Sequence, residues 1–321
     1  MKKIVSILIP VYNEEKNIPL LISRLRQIMN SEKCECIFID DGSTDGTLTA
    51  LREGAASSVE NFNVRYISFS RNFGHQNALK AGFDSATGDC LITMDGDMQH
   101  PPELLPKMIS LWRNGYDIIH TIRETEDAPD TSEGSRPSFF KRLSSDMFYK
   151  IFSAVTGVPM RRGMADFRLM DKRVAGVCKS LKGDVFFWRG FISWLNFNQI
   201  SLTYTAGKRH SGKSKYSIKK MFSLAWKGIS LFSTLPIRIA WICGILGIST
   251  SIIYSIYILY AKFFGHSVSG WSSLMLLTGL LGSINLFILG IVGDYLYKIL
   301  NTTSGKPPYV IKESSDDDQN L

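Results

Sequence analysis

The sequence predicts an α/β domain on a mostly parallel sheet, followed by a two-helix transmembrane hairpin. Three observations carry the prediction. Short β-rich apolar runs alternate with helical patterns over residues 4–121, two uncharged apolar stretches follow in tandem, and carboxylates gather where the β-rich runs end.

The first strand is expected at residues 4–9. Met1-Lys2-Lys3 precedes it, but the apolar run is too short for a signal peptide and ends at Asn13-Glu14-Glu15 without a small-residue cleavage site. Further strands are expected at 36–39, 64–69, 90–94 and 117–121, with helices between them at 18–29, 47–57, 76–86 and 103–113. Strand-helix-strand alternation implies a sheet covered on both faces, with ligands bound beyond the carboxyl ends of the strands.

Residues 239–261 and 267–293 carry no charge, and each run exceeds the roughly 20 residues that span a bilayer core. A buried core helix would pass the same test once; two in tandem favour spans. The connector Lys262-Phe263-Phe264-Gly265-His266 is short, so the pair forms a hairpin, with Asn285 suited to a hydrogen bond between its helices. Lys208, Arg209, Lys213, Lys215, Lys219, Lys220, Lys227 and Arg238 precede it, and Lys298, Lys306 and Lys312 follow, which places both flanks in the cytoplasm. The expected division is a catalytic domain over 1–215, an amphipathic helix over 216–234, spans over 235–298 and a cytoplasmic tail over 299–321. The amphipathic segment fits the lipid headgroup layer, or alternatively a helix packed on the domain. The tail, with Pro307-Pro308 and Asp316-Asp317-Asp318, is expected to be solvated and poorly ordered.

The net charge of +8 is regional: residues 185–293 hold ten Lys or Arg and no Asp or Glu. This argues against a nucleic-acid partner and for a local anionic surface, the membrane. Cys34, Cys36, Cys90, Cys178 and Cys243 match neither a disulfide framework nor a zinc spacing and suit a reducing cytosol.

The strand ends hold the chemistry. The first reads Pro10-Val11-Tyr12-Asn13-Glu14-Glu15, the second Asp40-Asp41-Gly42-Ser43-Thr44-Asp45-Gly46, the fourth Met94-Asp95-Gly96-Asp97-Met98-Gln99-His100-Pro101. Asn13 and Asp45 alone could cap helices, and Asp-Gly pairs mark turns. Asp95-Gly96-Asp97 is the sharpest signal: two carboxylates one small residue apart can converge on a hard divalent cation, Mg2+ or Mn2+, with Gln99 adding a neutral oxygen. His100, before Pro101-Pro102, fits the start of a helix better than a metal shell. No Gly-x-Gly-x-x-Gly or Walker loop is present, which leaves dinucleotide and ATP chemistry unsupported.

Residues 10–15, 40–45 and 95–101 resemble the signature of glycosyltransferase family 2, inverting enzymes with the Rossmann-like GT-A fold. Ala165-Asp166-Phe167-Arg168-Leu169 resembles that family's Gly-Asp-Phe-Arg-Leu segment, with Ala165 replacing Gly. Arg209-His210-Ser211-Gly212-Lys213-Ser214-Lys215-Tyr216 resembles an Arg-x-x-Gly-x-Ser-Lys-Tyr segment that, before a membrane hairpin, is particular to the polyprenyl-phosphate branch: dolichyl-phosphate mannose synthase and bactoprenol glucosyltransferases. The resemblance implies inverting transfer from a nucleotide sugar, UDP-glucose first, to polyprenyl (undecaprenyl) phosphate at the cytoplasmic face of the bacterial inner membrane. It gives Asp41 to the base, Pro10, Tyr12 and Glu14 to the nucleoside pocket, Asp95, Gly96, Asp97 and Gln99 to the cation and donor diphosphate, and Arg123, Arg209 and Lys215 to phosphate. Asp166 falls at the reacting centre, for positioning or proton handling, or else in an ion pair with Arg168 or Arg161. Residues 124–138 sit where a lid would be, or form an ordinary surface loop. A processive polysaccharide synthase should show Gln-x-x-Arg-Trp and more spans, whereas Phe187-Trp188-Arg189-Gly190 departs from that pattern. A soluble acceptor and a homo-oligomer both remain open.

Overall fold

The computed structural model describes residues 3–124, 153, 156, 157, 163–182, 187–205, 233, 235–264 and 270–316. It divides into two compact units, Met1–Ile218 with Lys306–Leu321, and Lys219–Gly305. The amphipathic segment at 216–232, Arg209, Lys215, Arg161 and residues 125–138 lie outside the described residues.

In the first unit the strands β1 (Ile4–Val11), β2 (Lys33–Asp40), β3 (Phe62–Phe69), β4 (Cys90–Thr93), β5 (Ile118–Glu124), β6 (Met164–Asp171), β7 (Gln199–Thr205) and β8 (Ile311–Ser314) form one eight-stranded sheet ordered β7-β5-β6-β4-β1-β2-β3-β8. Strands β4, β1, β2 and β3 run parallel, as the alternation predicts, and β5 pairs parallel with β7. β6 runs antiparallel between β4 and β5.

Both faces of β1 are apolar, so both must be covered. Val5, Ile7, Ile9 and Val11 pack with Ile18, Leu21 and Leu25 of α1 (Ile18–Ile28), Leu51 of α2 (Thr47–Ala56), and Leu105, Met108 and Trp112 of α4 (Leu105–Arg113). Leu8 faces the other way, in a second cluster with Ala78, Leu79 and Phe83 of α3 (His75–Ser85), Val174 and Cys178 of α5 (Lys172–Ser180), and Trp188 and Ile192 of α6 (Trp188–Trp194). The 0, 3, 4, 7 spacing of buried Ile18, Leu21, Ile22 and Leu25 is one helical stripe, each side chain contributing about 1.5–3 kcal/mol by burial. The five cysteines are all free thiols, and burial pushes that of Cys178 up to about 12, which keeps it protonated and inert.

The expectation of a solvated tail is corrected. Residues 311–314 form β8, antiparallel to the outer edge of β3. Tyr309 stacks on Phe69 with ring centroids 5.2 Å apart and donates its hydroxyl to Asp84 Oδ2 at 2.9 Å. Arg52 meets Glu313 at 2.6 Å, and Arg65 pairs with both Glu35 and Asp316. Of the tail's acidic residues, Glu313 and Asp316 are partners for arginines along the sheet edge, and Asp317 and Asp318 lie outside the described residues.

In the second unit, α7 (Leu235–Phe263) and α8 (Trp271–Thr303) contain stretches of 23 and 21 residues with mean hydropathy 1.9 and 1.6, long and apolar enough to cross a membrane. Their apolar side chains are mostly exposed, Trp241 at 71% and Leu286 at 71%, unlike core helices of a water-soluble domain. A groove of about 560 Å³ between them is lined by Gly247, Ser251, Ser255 and Asn285 among others.

Candidate active site

The site is assembled at the carboxyl edge of the parallel strands. The loops after β1 and β2 are tied together first: Asn13 donates its N–H to Ser43 Oγ and accepts the N–H of Thr44, both at 2.9 Å. Asn13 takes a left-handed φ of 58° to do this. Glu14 N–H bonds Thr47 Oγ1 at 2.9 Å, and its carboxylate accepts from Asn17. Tyr12 stands 45% exposed beside them, available to a planar ligand. Asp45 accepts the N–H of Thr47 at 3.0 Å at the start of α2, so its visible work is structural.

Asp40 and Asp41 are both buried. Asp40 accepts from Ser43 N–H and the Ser68 hydroxyl at 2.9 and 2.8 Å. Asp41 accepts the N–H groups of Phe73 at 2.7 Å and Gly74 at 3.0 Å, holding the β3–α3 loop against the β2 end. Burial raises its carboxyl above the usual range, against the opposing pull of those N–H groups. Gly42 lies directly under that loop: with φ at 70°, a Cβ there would fall 2.4 Å from the Arg71 carbonyl carbon.

Asp95 and Asp97 occupy the turn after β4. Gly96 permits the turn, because a Cβ would sit 2.6 Å from Val11 Cγ1. Asp97 Oδ1 accepts Gln99 N–H at 3.1 Å, and Met98 adopts a left-handed φ of 64°. His100 supports the turn from within, as its position suggests: it stacks on Phe167 with centroids 5.1 Å apart, accepts Asp95 N–H at Nδ1 (3.3 Å), and holds Nε2 3.6 Å from Asp95 Oδ2. From β5, Arg123 donates to Gln99 Oε1 at 3.3 Å.

Antiparallel β6 explains how Asp166 joins them. Thr93 at the end of β4 pairs with Arg168 in the middle of β6, so the residues before Arg168 run on past the end of β4 to the catalytic edge. Asp166 accepts from Arg168 at 3.0 Å and from Arg189 at 2.8 Å. Burial alone would raise its carboxyl, but Arg189, then Arg168 and His75, outweigh it and hold Asp166 well below the usual range. His75, at the start of α3, spans the gap: its Nε2 lies 3.8 Å from Asp95 Oδ1 and 3.9 Å from Asp166 Oδ2. Burial pushes the Tyr204 hydroxyl up to about 12, while Arg123, Asp95, Asp97 and Arg189 all act on it, so four charges from β5, the turn after β4 and α6 converge around one phenol.

Asp95, Gly96, Asp97, Gln99, Arg123 and Asp166 are therefore brought to one place, with Pro10 at the end of β1 and Tyr12, Glu14 and Asp41 on the adjoining loops. Arg209 and Lys215 lie outside the described residues. His75, Arg189 and Tyr204 escape the sequence reading. His75 follows the third strand, where the strand-end rule would have found it; Arg189 is weighed there only as a departure from another pattern. Among the described residues no three His, Cys, Asp or Glu side chains form a metal cage. Two half-buried carboxylates on one turn fit a hard cation that completes its shell with substrate oxygens and water.

Residues 6–176 match glycosyl transferase family 2. The chain is 38% identical over 312 residues to an uncharacterized glycosyltransferase, YkcC, of Bacillus subtilis (strain 168), covering 96% of this chain and 93% of that one. It is 33% identical to the prophage bactoprenol glucosyl transferase homolog of Escherichia coli (strain K12), covering 96% and 98%, and 33% identical to the bactoprenol glucosyl transferase of Shigella phage SfII, covering 97% and 98%. Among solved structures, glucosyl-3-phosphoglycerate synthase from Mycobacterium tuberculosis aligns with a TM-score of 0.46 at 16% identity, over 71% of this chain and 78% of that chain. The match runs from β1 into α5 and so takes in the three carboxylate-bearing turns and Asp166 alike: the chain belongs to glycosyl transferase family 2 and has its GT-A fold.

Proposed function

We propose that the protein transfers a sugar, with inversion, from a UDP-linked donor, glucose first, to a polyprenyl phosphate at the cytoplasmic face of a bacterial membrane. The observation that carries this reading is the juxtaposition of Asp95 and Asp97 with Arg123, Asp166 and Arg189 at one strand edge. It is supported by near full-length similarity to proteins named bactoprenol glucosyl transferases and by two helices apolar enough for a bilayer.

Asp95 and Asp97, with Gln99, would hold Mg2+ or Mn2+, which supplies charge neutralisation on a leaving diphosphate. Tyr12 and the Asp41 loop face the nucleoside, and Arg123 reinforces the diphosphate side. An oxygen of the acceptor phosphate attacks the anomeric carbon as the bond to UDP breaks. That oxygen is already ionised at neutral pH, so little proton transfer is required. Asp166, gripped by two guanidiniums and held well below the usual carboxylate range, is suited to positioning and poorly suited to accepting a proton. Arg209 and Lys215 complete the phosphate clamp by resemblance to the family.

The test is purified protein incubated with undecaprenyl phosphate and a panel of labelled nucleotide sugars, followed by lipid extraction. Labelled lipid should appear, and should vanish with EDTA. Arg209→Ala and Lys215→Ala should cut turnover by orders of magnitude, whereas Lys219→Ala should act mildly. Label only in water-soluble product would point to a soluble acceptor and defeat the reading.

A further inference from the structure

We infer that the Tyr204 hydroxyl binds the sugar donor: it donates a hydrogen bond to the β-phosphate of the nucleoside diphosphate and holds that phosphate as it leaves. This assignment rests on the reading above and extends it to β7, a strand beyond the residues that match the family.

Placement comes first. Tyr204 is the register partner of Arg123 in the parallel pairing of β7 with β5, so both side chains rise from one face of the sheet. Arg123 meets the cation turn at Gln99. Tyr204 meets it at His100, its ring edge-on to His100 and to Phe167 with centroids 6.1 and 6.2 Å away. Those two rings stack on each other, so the phenol leans on an aromatic wall. The wall also carries Asp95, whose N–H bonds His100 Nδ1. The charges of Asp95, Asp97 and Arg123 all act on the phenol.

An unmet donor comes second. Tyr204 is only 6% exposed, yet among the described residues its hydroxyl has no hydrogen-bond partner. Buried hydroxyls are as a rule bonded, because folding strips them of water. Nor is this oxygen enclosed within the fold as Arg168 Nη1 is; it opens on the site. Two carboxylates act on it from the cation turn, and it bonds neither. Its acceptor is a group that arrives.

Charge and position say what that group is. A phenol at neutral pH is a proton donor, so the arriving group is an acceptor. A cation held by Asp95 and Asp97 completes its shell with diphosphate oxygens, which brings anionic oxygen to this turn. Tyr12 and the Asp41 loop take the nucleoside at the ends of β1 and β2. In the order β7-β5-β6-β4-β1-β2, Tyr204 stands at the opposite end, beyond β4 and its cation turn. The phosphate farther from the nucleoside, the β-phosphate, therefore falls to it. When the bond from the anomeric carbon to the β-phosphate oxygen breaks, the electron pair stays on that phosphate and strengthens the hydrogen bond.

The experiment uses the full chain in nanodiscs and Tyr204→Phe, which removes one oxygen and keeps the ring packing. Calorimetry in Mn2+ without acceptor measures UDP and UMP, and Mn2+ is titrated alone. Tyr204→Phe should weaken UDP roughly tenfold and leave UMP and Mn2+ within about twofold of wild type. Transfer from UDP-glucose to undecaprenyl phosphate, both saturating, should fall roughly a hundredfold in kcat. The melting temperature should match wild type, which separates a lost contact from a loosened fold. Unchanged UDP affinity in the variant overturns the assignment. Equal losses for UDP and UMP would move the hydroxyl to the nucleoside side, and weaker binding of Mn2+ alone would make it part of the cation shell; either result also overturns it. If the wild type labels lipid but Tyr204→Phe binds UDP as tightly, this inference alone fails. If the wild type labels no lipid, yet the variant loses UDP and keeps UMP, the proposed acceptor fails and this assignment stands.

Discussion

Gly96 shows how tightly one atom constrains the site. A methyl group there would sit 2.6 Å from Val11 Cγ1 at the end of β1, so the Val11 side chain or the turn that carries Asp95 and Asp97 must shift. Gly96→Ala should therefore weaken Mn2+-dependent UDP binding by roughly tenfold or more while circular dichroism stays unchanged. Asp95→Asn and Asp97→Asn should each abolish most turnover without unfolding the protein, read by the lipid-product assay beside a melting curve. Asp166 differs, because its loss leaves Arg168 as a buried uncompensated charge; Asp166→Ala should cost about 3–5 kcal/mol of stability. Its carboxyl lies below the usual 3.8 in the folded protein, so the stabilisation is complete above that value and fades as the pH falls below it. The melting-temperature gap between wild type and Asp166→Asn should thus be full at about pH 6 and shrink below about pH 4. Asp95 and Asp97 are legible in the sequence because they are adjacent along the chain and end an apolar run. The partners of Asp166 are not, since His75, Asp166 and Arg189 come from α3, β6 and α6 and meet only through the sheet order.

Strands β1 to β4 are legible for the same reason: a strand buried on both faces writes itself as a continuous apolar run. β6 is a motif in the sequence, but its direction cannot be read there, because nothing local distinguishes a strand that inserts antiparallel between β4 and β5. β8 is misread outright. Ile311-Lys312-Glu313-Ser314 is polar and short, as an edge strand can be, and its docking depends on Arg52, Arg65 and Phe69 more than 240 positions away. Truncation after Gly305 should expose the edge of β3, lower the melting temperature of the catalytic domain and promote association at that edge. Tyr309→Ala alone should cost about 2 kcal/mol, from the lost ring stack and the Asp84 hydrogen bond. Chemical denaturation of the isogenic pair measures it.

Across the whole chain, the sheet contains segments from both sides of the apolar helices: β7 precedes α7, and β8 follows α8. If both helices span, the segments before and after them must share one side of the membrane, which agrees with the lysines and arginines on both flanks. A single cysteine at Ser267, in the connector outside the described residues, should react with an impermeant maleimide from outside intact cells, and one at Ser304 should not. The reverse pattern would overturn the cytoplasmic assignment. The position of β8 also sets an order of manufacture. The ribosome delivers β1 to β7 first, then both apolar helices, and only then the strand that closes the β3 edge. The sheet is thus completed only after both apolar helices have been synthesised, so a chain stalled before β8 carries an open β3 edge. Until β8 closes it, that edge offers unpaired backbone groups to other chains.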